Sequence, residues 1–448
     1  MKKSARHLSF FPLLLTACLS MSALPAYAQT LREAVEHAIR TNPDVLASAS
    51  RRLATDEELN QARSGYLPRV DLNAGYGREN IDTPEARLLG LNGHALSRKT
   101  AGATLTQMLF DGFGVKSEVA RQQSRVDSSA ARVAAASEDI ALRVVGAYLE
   151  ILRRQESTEF AISNLESHQR IYEMIKLRSD SGVGRRADLD QADGRLALAK
   201  ASLRTEQSSL KDAEIAFLRL LALRPNALRK PSVVAASLPA NETAALDYAI
   251  ENHPALKTAR ADLETAKAQN AVAKSALSPR VDFELGANHG EHSISGRNEE
   301  LAAMFKLRYN LYKGGADAAK IRETSHLINE ANENLSRIRR QVEEGVSLAY
   351  NGFTSARERN VVLKQYVDAS ANAREAYAKQ FSIGQRSLLD LLNAENEYFN
   401  SRLSYSTGLF SELAAQYRVL SGIGRLLPAL EIAMPTEAAY AGTPLKEK

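Results

Sequence analysis

An internal duplication constrains this chain most strongly. Residues 34–75 align with residues 245–286 at a constant offset of 211, and Pro68-Arg69-Val70-Asp71 recurs as Pro279-Arg280-Val281-Asp282. Further along, Ala147-Tyr148 recurs as Ala349-Tyr350. A period this long indicates one supersecondary unit built twice. We therefore predict a first repeat over 29–223, a proline-containing linker over 224–243, a second repeat over 244–427 and a tail over 428–448.

Two long stretches of the chain contain no proline. The first lies between Pro84 and Pro225 and the second between Pro279 and Pro428. Proline costs a helix interior about 3 kcal/mol, so both stretches can hold long unbroken helices. The abundance of alanine (70) and leucine (58) among 448 residues agrees with this. We predict long helices over 115–180, 185–223, 315–381 and 386–421. The first would span about 100 Å and must pack lengthwise against neighbours.

Four short segments alternate apolar and polar residues with the period of a strand. They cover 68–77, 100–110, 279–288 and 300–311, and in the third Val281 and Phe283 alternate with Asp282 and Glu284. Strands of this length with one apolar and one polar face are typical of outer-membrane barrels. The alternative is a hairpin sheet packed on the chain's own helices. In the barrel interpretation the polar residues line a water-filled lumen: Asp71, Asn73, Asp282, Glu284, Lys306, Arg308 and Asn310.

Four strands cannot close a barrel by themselves. An open sheet edge in hydrocarbon leaves backbone N–H and C=O groups without partners, at a cost of several kcal/mol each. Closure must therefore come from further copies of the chain, and symmetric rings are the usual solution. The sequence predicts a mainly α protein with a β-barrel part, in which outer-membrane lipid surrounds an oligomeric barrel.

The first 28 residues have the pattern of an export signal. A basic start is followed by an apolar stretch and by Ala26-Tyr27-Ala28, so we predict cleavage between Ala28 and Gln29. A lipoprotein box ending at Cys18 is the alternative, with Cys18 lipidated. Cleavage after Ala28 lowers the net charge from +5 to +2 and removes the one cysteine. Such a balance argues against nucleic acid as a partner.

The order of elements resembles the TolC family of outer-membrane channels. The two turns between long helices carry the resemblance, with Ser181-Gly182-Val183-Gly184 in the first and Ser382-Ile383-Gly384-Gln385 in the second. The family resemblance implies a homotrimer in which twelve strands form one barrel that continues as an α-helical tunnel. It also implies a periplasmic adaptor (membrane fusion) protein and an inner-membrane transporter as partners.

The resemblance also assigns roles at the two turns. Residues at the turns are expected to contact the adaptor: Gly182, Val183, Gly184, Ile383 and Gly384. Residues just beyond are expected to form the constriction and gate: Asp190, Arg386, Asp390 and Asn393. The well-known members carry a second acid where this chain has Asn393, so its constriction should be less negative. The alternatives are plain interhelical turns and a solvated polar surface.

The leading functional hypothesis is the outer-membrane duct of type I protein secretion, with an ABC transporter and a membrane fusion protein. A drug or metal efflux duct driven by a proton-coupled pump is the first alternative. A secreted coiled-coil scaffold without a pore is the second. No motif of an enzyme or cofactor site occurs in the sequence. His289 and His292 have the spacing of metal ligands but lie in a polar loop, so we expect no metal site.

Overall fold

The computed structural model describes residues 29–231, 237–292 and 296–440. The predicted signal peptide, with Ala28 and Cys18, lies outside these ranges. The first residue of the predicted mature chain, Gln29, is described, and its backbone is bonded to the linker through the N–H of Gln29 and the carbonyl of Asn226, 3.2 Å apart. The start of the first repeat is thus anchored to the segment that joins the two repeats.

The chain forms one unit twice, with a short tail. The first unit consists of α1 (Leu31–Thr41), α2 (Pro43–Ser64), β1 (Arg69–Glu79), α3 (Pro84–Leu88), β2 (Leu96–Phe110), α4 (Gly114–Asp180) and α5 (Arg186–Leu221). The second consists of α6 (Glu242–Asn252), α7 (Pro254–Ser275), β3 (Arg280–His292), β4 (Gly296–Arg308), α8 (Ala316–Ser382) and α9 (Leu388–Gly422). A short helix α10 (Leu426–Ala429) and a 3-10 turn (Thr436–Ala438) follow.

Local sequence explains where the paired short helices meet. Pro43 and Pro254 each occupy the first turn of a helix, where a missing N–H costs nothing. The residue before each proline caps that helix, with Asn42 accepting from the N–H of Asp44 and His253 from that of Ala255. The break between α1 and α2 therefore recurs between α6 and α7.

The four strands form one antiparallel sheet in the order β1-β2-β3-β4. The register pairs Asp71 with Thr104, Thr106 with Glu284 and Asp282 with Lys306. Directly opposed residues share a face of the sheet. Asp71, Asp282 and Glu284 therefore lie on one face of the sheet, and Leu72 and Phe283 lie on the other.

The structure corrects the predicted strand ends. β4 ends at Arg308, which pairs with Arg280 at the start of β3. The residue before Arg280 is Pro279, which has no N–H to donate, so the chain beyond Arg308 has no strand of its own sheet beside it. Asn310 was predicted in the fourth strand and lies outside it. At the opposite end the strands run further than predicted, to Glu79 in β1 and His292 in β3.

The main hydrophobic core surrounds the middle of α4 and contains residues of α1, α5, α6, α8, α9 and α10. Tyr148 is fully buried there, and its hydroxyl donates to the carbonyl of Gln29 or Arg229, at 2.8 and 2.7 Å, while accepting from the N–H of Arg229. Glu138, also buried, accepts from the N–H groups of Leu426 and Leu427. In the described parts of the chain, none of the helices combines the length and apolarity needed to cross a membrane.

Candidate functional site: the helical tips and the sheet

The first tip is the turn between α4 and α5. Gly182 has φ +74°, and a Cβ on Gly184 would lie 2.9 Å from the backbone nitrogen of Ser179. The carbonyl of Arg178 accepts from the N–H groups of Val183 and Gly184, at 3.0 and 2.8 Å. These contacts require glycine at both positions, because a side chain would be strained at the first and would clash at the second. The turn leaves the Val183 side chain 84% exposed at its end.

The second tip joins α8 to α9 by a similar reversal. Gly384 has φ +80°, and the N–H of Gln385 donates to the carbonyl of Gln380 at 2.9 Å. Ile383 is 68% exposed, so each tip ends in an exposed aliphatic side chain. The predicted adaptor-contact residues therefore lie in two equivalent turns of the duplicated unit.

The two tips share a small hydrophobic core that is separate from the main one. Its buried members come from all four long helices: Ile171, Ile175, Leu189, Ala192, Phe381, Leu388, Leu391 and Leu392. Burial of several aliphatic side chains in one cluster holds the two hairpins together near their ends. Within one chain the tips are consequently a single structural unit.

A hydrogen bond joins the two repeats beside this core. Arg195 of α5 donates from Nη2 to Oδ1 of Asn393 in α9, at 3.0 Å. Asn393 was predicted at the constriction, whereas Arg195 was not identified from the sequence. No motif marks Arg195, and only the packing of α5 against α9 brings it to Asn393. An amide can accept this bond, as an aspartate would, but it adds no charge.

The other predicted gate residues bond within their own hairpins. Arg386 donates from Nε to Gln380 at 2.9 Å, and its guanidinium lies 4.2 Å from the ring centre of Tyr377. Nε of Arg186 lies 3.4 Å from the Asp190 carboxylate. Both contacts are on the exposed surface of the tip.

Asp390 also has a local role, at the start of α9. Its carboxylate accepts from the backbone N–H of Ser387 at 3.3 Å, while the N–H of Asp390 donates to the hydroxyl of Ser387 at 3.1 Å. This is a capping box at the start of α9, and the Ser-x-x-Asp spacing could have revealed it. Its place in a constriction stays a prediction.

The polar face of the sheet carries paired charges. Lys306 and Glu284 are 2.6 Å apart, Arg280 and Asp282 are 2.8 Å apart, and Asp71 pairs with the neighbouring Arg69. On the opposite face Leu72 is 81% exposed and Phe305 is 74% exposed in the single chain. A bare apolar face of this size requires lipid or protein to cover it.

Aromatic residues lie where the sheet meets the helices. Phe110 and Phe113 make an edge-to-face contact with ring centres 5.8 Å apart, and Lys116 lies 5.7 Å from the Phe113 ring. Tyr309 and Tyr312 are exposed after β4. Such residues are typical of the boundary between hydrocarbon and water. They indicate that the sheet enters the membrane and that the helices lie beyond it.

No group of three potential metal ligands lies together within the described ranges. Nδ1 of His289 lies 3.5 Å from the carboxylate of Glu299. The side chain of His292 is outside the described residues.

A family model described as outer membrane efflux protein matches residues 34–223 and 245–422. This chain belongs to the outer membrane efflux protein family. The two matched ranges coincide with the two repeats, and the predicted relation to TolC-type channels is confirmed. Members of this family are outer-membrane channels, so the protein resides in the outer membrane with a large periplasmic part.

Individual relatives match over most of their length. The outer membrane efflux protein BepC of Brucella suis is 24% identical over 90% of this chain and 86% of its own. TolC of Vibrio cholerae is 25% identical over 93% of this chain and 95% of its own length. The alkaline protease secretion protein AprF of Pseudomonas aeruginosa is 23% identical over 88% and 84%.

Solved structures of outer-membrane channels share the fold. The outer-membrane channel OprN superposes with a TM-score of 0.77 at 20% identity, covering 88% of this chain and 90% of that one. The CmeC channel of Campylobacter jejuni superposes with a TM-score of 0.77 at 14% identity, covering 88% of this chain and 86% of that one. The mainly helical fold with four antiparallel strands per chain is therefore that of the TolC-type channels.

Proposed function

We propose that this family member is a homotrimeric exit duct of a tripartite export machine. The observation that carries the proposal is the sheet, which has a charged face, a bare apolar face and two edges, β1 and β4, without a further strand among the described residues. Three copies joined edge to edge provide twelve strands, with the apolar face toward lipid and the charged face toward water. A pore-free scaffold leaves that apolar face in water.

The helices continue the duct on the periplasmic side. In the upper part α2 packs on α4, α4 on α7 and α7 on α8, so that neighbouring helices form a layer one helix thick. A layer of this kind can close into a tube when three copies are arranged around an axis. In the lower part the pairs α4–α5 and α8–α9 extend the tube to the tips.

The tips are the proposed contact with a periplasmic adaptor (membrane fusion) protein. Val183 and Ile383 present aliphatic side chains at the far ends of rigid hairpins, where little of the chain's own structure can cover them. A partner that covers both would gain the free energy of apolar burial. The inner-membrane transporter completes the route.

We favour type I protein secretion with an ABC transporter. Two relatives carry names of this kind, AprF and the proteases secretion protein PrtF of Dickeya chrysanthemi. The name of BepC supports the alternative, a drug or metal efflux duct with a proton-driven pump. The two differ in cargo and transporter and share the duct.

Conductance of the purified protein in planar bilayers tests the duct. We expect discrete steps from detergent-extracted trimers, whereas a protein that gives no steps and fractionates as a soluble monomer would contradict the proposal. Deletion of the gene tests the cargo. Loss of one secreted protein with unchanged drug or metal resistance supports type I secretion, and the reverse supports efflux.

The contact between Arg195 and Asn393 provides a test of the tip. We expect Arg195→Ala to raise single-channel conductance, because it removes a bond that joins α5 to α9 beside the predicted constriction. Arg204→Ala is the matched control on the same helix, since Arg204 is exposed and donates to Gln207 within its own helix. Equal conductance of both variants would show that this bond does not contribute to gating.

A further inference from the structure

A basic hollow lies on the helical layer, away from the tips and from the sheet. It has a volume of about 120 Å³ and lies between α2, α4 and α7. Three arginines (Arg51, Arg125 and Arg132), hydroxyl side chains and one carboxylate, Asp262, line it. No motif in the sequence marks this group, because its members are distant along the chain.

The arginines of the hollow are unequally engaged. Arg125 forms an ion pair with Glu58. Arg132 contacts Asp262 at 3.2 Å, and Asp262 also accepts from the hydroxyl of Ser128 at 2.6 Å. Thus both acids near the hollow already have cationic partners.

Arg51 is the arginine of the hollow that is best placed to bind an added anion. Its Nη2 lies 3.9 Å from Glu58, too far for a hydrogen bond, and its side chain is 66% exposed. The Thr55 hydroxyl donates to the carbonyl of Arg51 at 2.9 Å, so the hydroxyl donors that the lining can offer an anion are those of Ser48 and Ser129. Guanidinium forks with hydroxyl donors are the groups that hold phosphate and carboxylate oxygens. The hollow thus has the chemistry of an oxyanion site.

On α4 and α7, the hollow and the C-terminal tail lie on opposite sides of the helix. Tyr440 of the tail is close enough to Asp127 of α4 and Arg260 of α7 to feel their charges. On α2 the tail meets Arg52, which donates to the carbonyl of Ala439 and lies one turn from Ser48 of the hollow. Asp127 follows Arg125 by two residues, and Arg260 precedes Asp262 by two. Two residues turn a helix by about 200°, so the tail side and the hollow side face nearly opposite directions.

When three copies close into a tube, the bulky side must face outward. The tail and α1 line one pocket beside α2 and would obstruct the interior of a tube if they lay within it. The hollow then opens on the inner surface. Arg125 and Arg132 follow the start of α4 by 11 and 18 residues, which places the hollow about 16–27 Å from the sheet.

We propose that this hollow binds oxyanions, phosphate or carboxylate groups, on the inner wall of the duct. The proposal rests on the trimeric duct proposed above. Three-fold symmetry repeats the site around the axis, so that acidic cargo or a free anion meets three equivalent arginine clusters on its way to the barrel.

Binding of inorganic phosphate to the detergent-solubilised trimer tests the site, by calorimetric titration at constant ionic strength. We expect saturable binding, and weakening by about tenfold or more in Arg51→Gln/Arg132→Gln, because charge-assisted hydrogen bonds are lost. Arg143→Gln is the matched control: Arg143 lies on the same helix, paired with Asp139 at 2.7 Å, outside the hollow. A lack of saturable binding, or equal binding by the double variant, overturns the proposal. Arg51→Gln alone serves if the double variant does not form trimers.

Two further measurements identify the source of the anion and the location of the site. Competition by a short oligoglutamate peptide indicates carboxylates of cargo, and binding of phosphate alone indicates a free anion. Phosphate that lowers wild-type conductance, but not that of the double variant, supports the inner wall. Saturable binding without any effect on an open channel overturns that location. Failure of the duct itself is distinguishable, because it abolishes pores while the titration can still be carried out.

Discussion

Glu138 is expected to make this protein less stable as the pH rises from 4.5 to 7. Its carboxyl group is buried in the main core, and burial raises its pKa from 4.5 to about 7, against the opposing effect of two backbone N–H groups. A carboxyl whose pKa is higher in the folded state than in the unfolded state favours folding when protonated. The contribution of Glu138 to the free energy of unfolding is therefore fully present below pH 4.5 and is lost as the pH rises toward 7.

The size of this effect follows from the pKa. A change from 4.5 to about 7 corresponds to about 3 kcal/mol of differential stability, as an order of magnitude. Glu138→Gln keeps a carbonyl oxygen that can accept from Leu426 or Leu427 and removes the titration. The stability of the variant should therefore not fall between pH 4.5 and 7 on account of this group.

Thermal unfolding in detergent between pH 4.5 and 8 measures this effect. We expect the wild type to lose stability relative to Glu138→Gln as the pH rises, with the difference levelling off above pH 7. Glu159→Gln, at an exposed position of the same helix, should follow the wild type. Parallel curves for the wild type and Glu138→Gln would refute a buried carboxyl with a raised pKa.

Two substitutions in the helical part have further expected outcomes. Gly408→Ala should lower the melting temperature, at a cost of about 1–3 kcal/mol in stability, because the added Cβ would lie 2.2 Å from Oδ1 of Asn360. Gly352→Ala is the control and should leave the melting temperature unchanged, because no atom lies within 4 Å of its added Cβ. An equal loss of stability in both variants would contradict this. Tyr148→Phe should cost about 1–3 kcal/mol and expose the linker near Arg229 to protease, because buried backbone groups lose their hydroxyl partner. Unchanged cleavage would contradict that role.

The duplication also explains how the linker is held. Tyr148 bonds to the backbone of Arg229, and its counterpart in the second repeat, Tyr350, donates to the carbonyl of Ala240 at 3.3 Å. The linker thus meets the same tyrosine of each repeat. The repeated Ala-Tyr pair is visible in the sequence, but its partners lie 81 and 110 residues away.

Local and periodic features were predictable from sequence. Proline-free stretches correspond to α4 and α8, and the alternation around Val281 and Phe283 corresponds to one apolar face of the sheet. These features depend on residues that are near each other along the chain, and a helix or strand imposes its own period on them. The end of β4 was placed wrongly, because alternation continues to residue 311 while the partner strand starts only at Arg280.

Contacts between distant segments were decided by the tertiary structure alone. The bond between Arg195 and Asn393 and the hollow around Arg51 depend on which helices pack together and at what height. Nothing in the local sequence distinguishes these arginines from others on a solvated helix face. Duplication, periodicity and glycine turns thus determined the elements and their order, whereas packing of the long helices determined which side chains meet, because lengthwise packing brings together residues far apart in sequence.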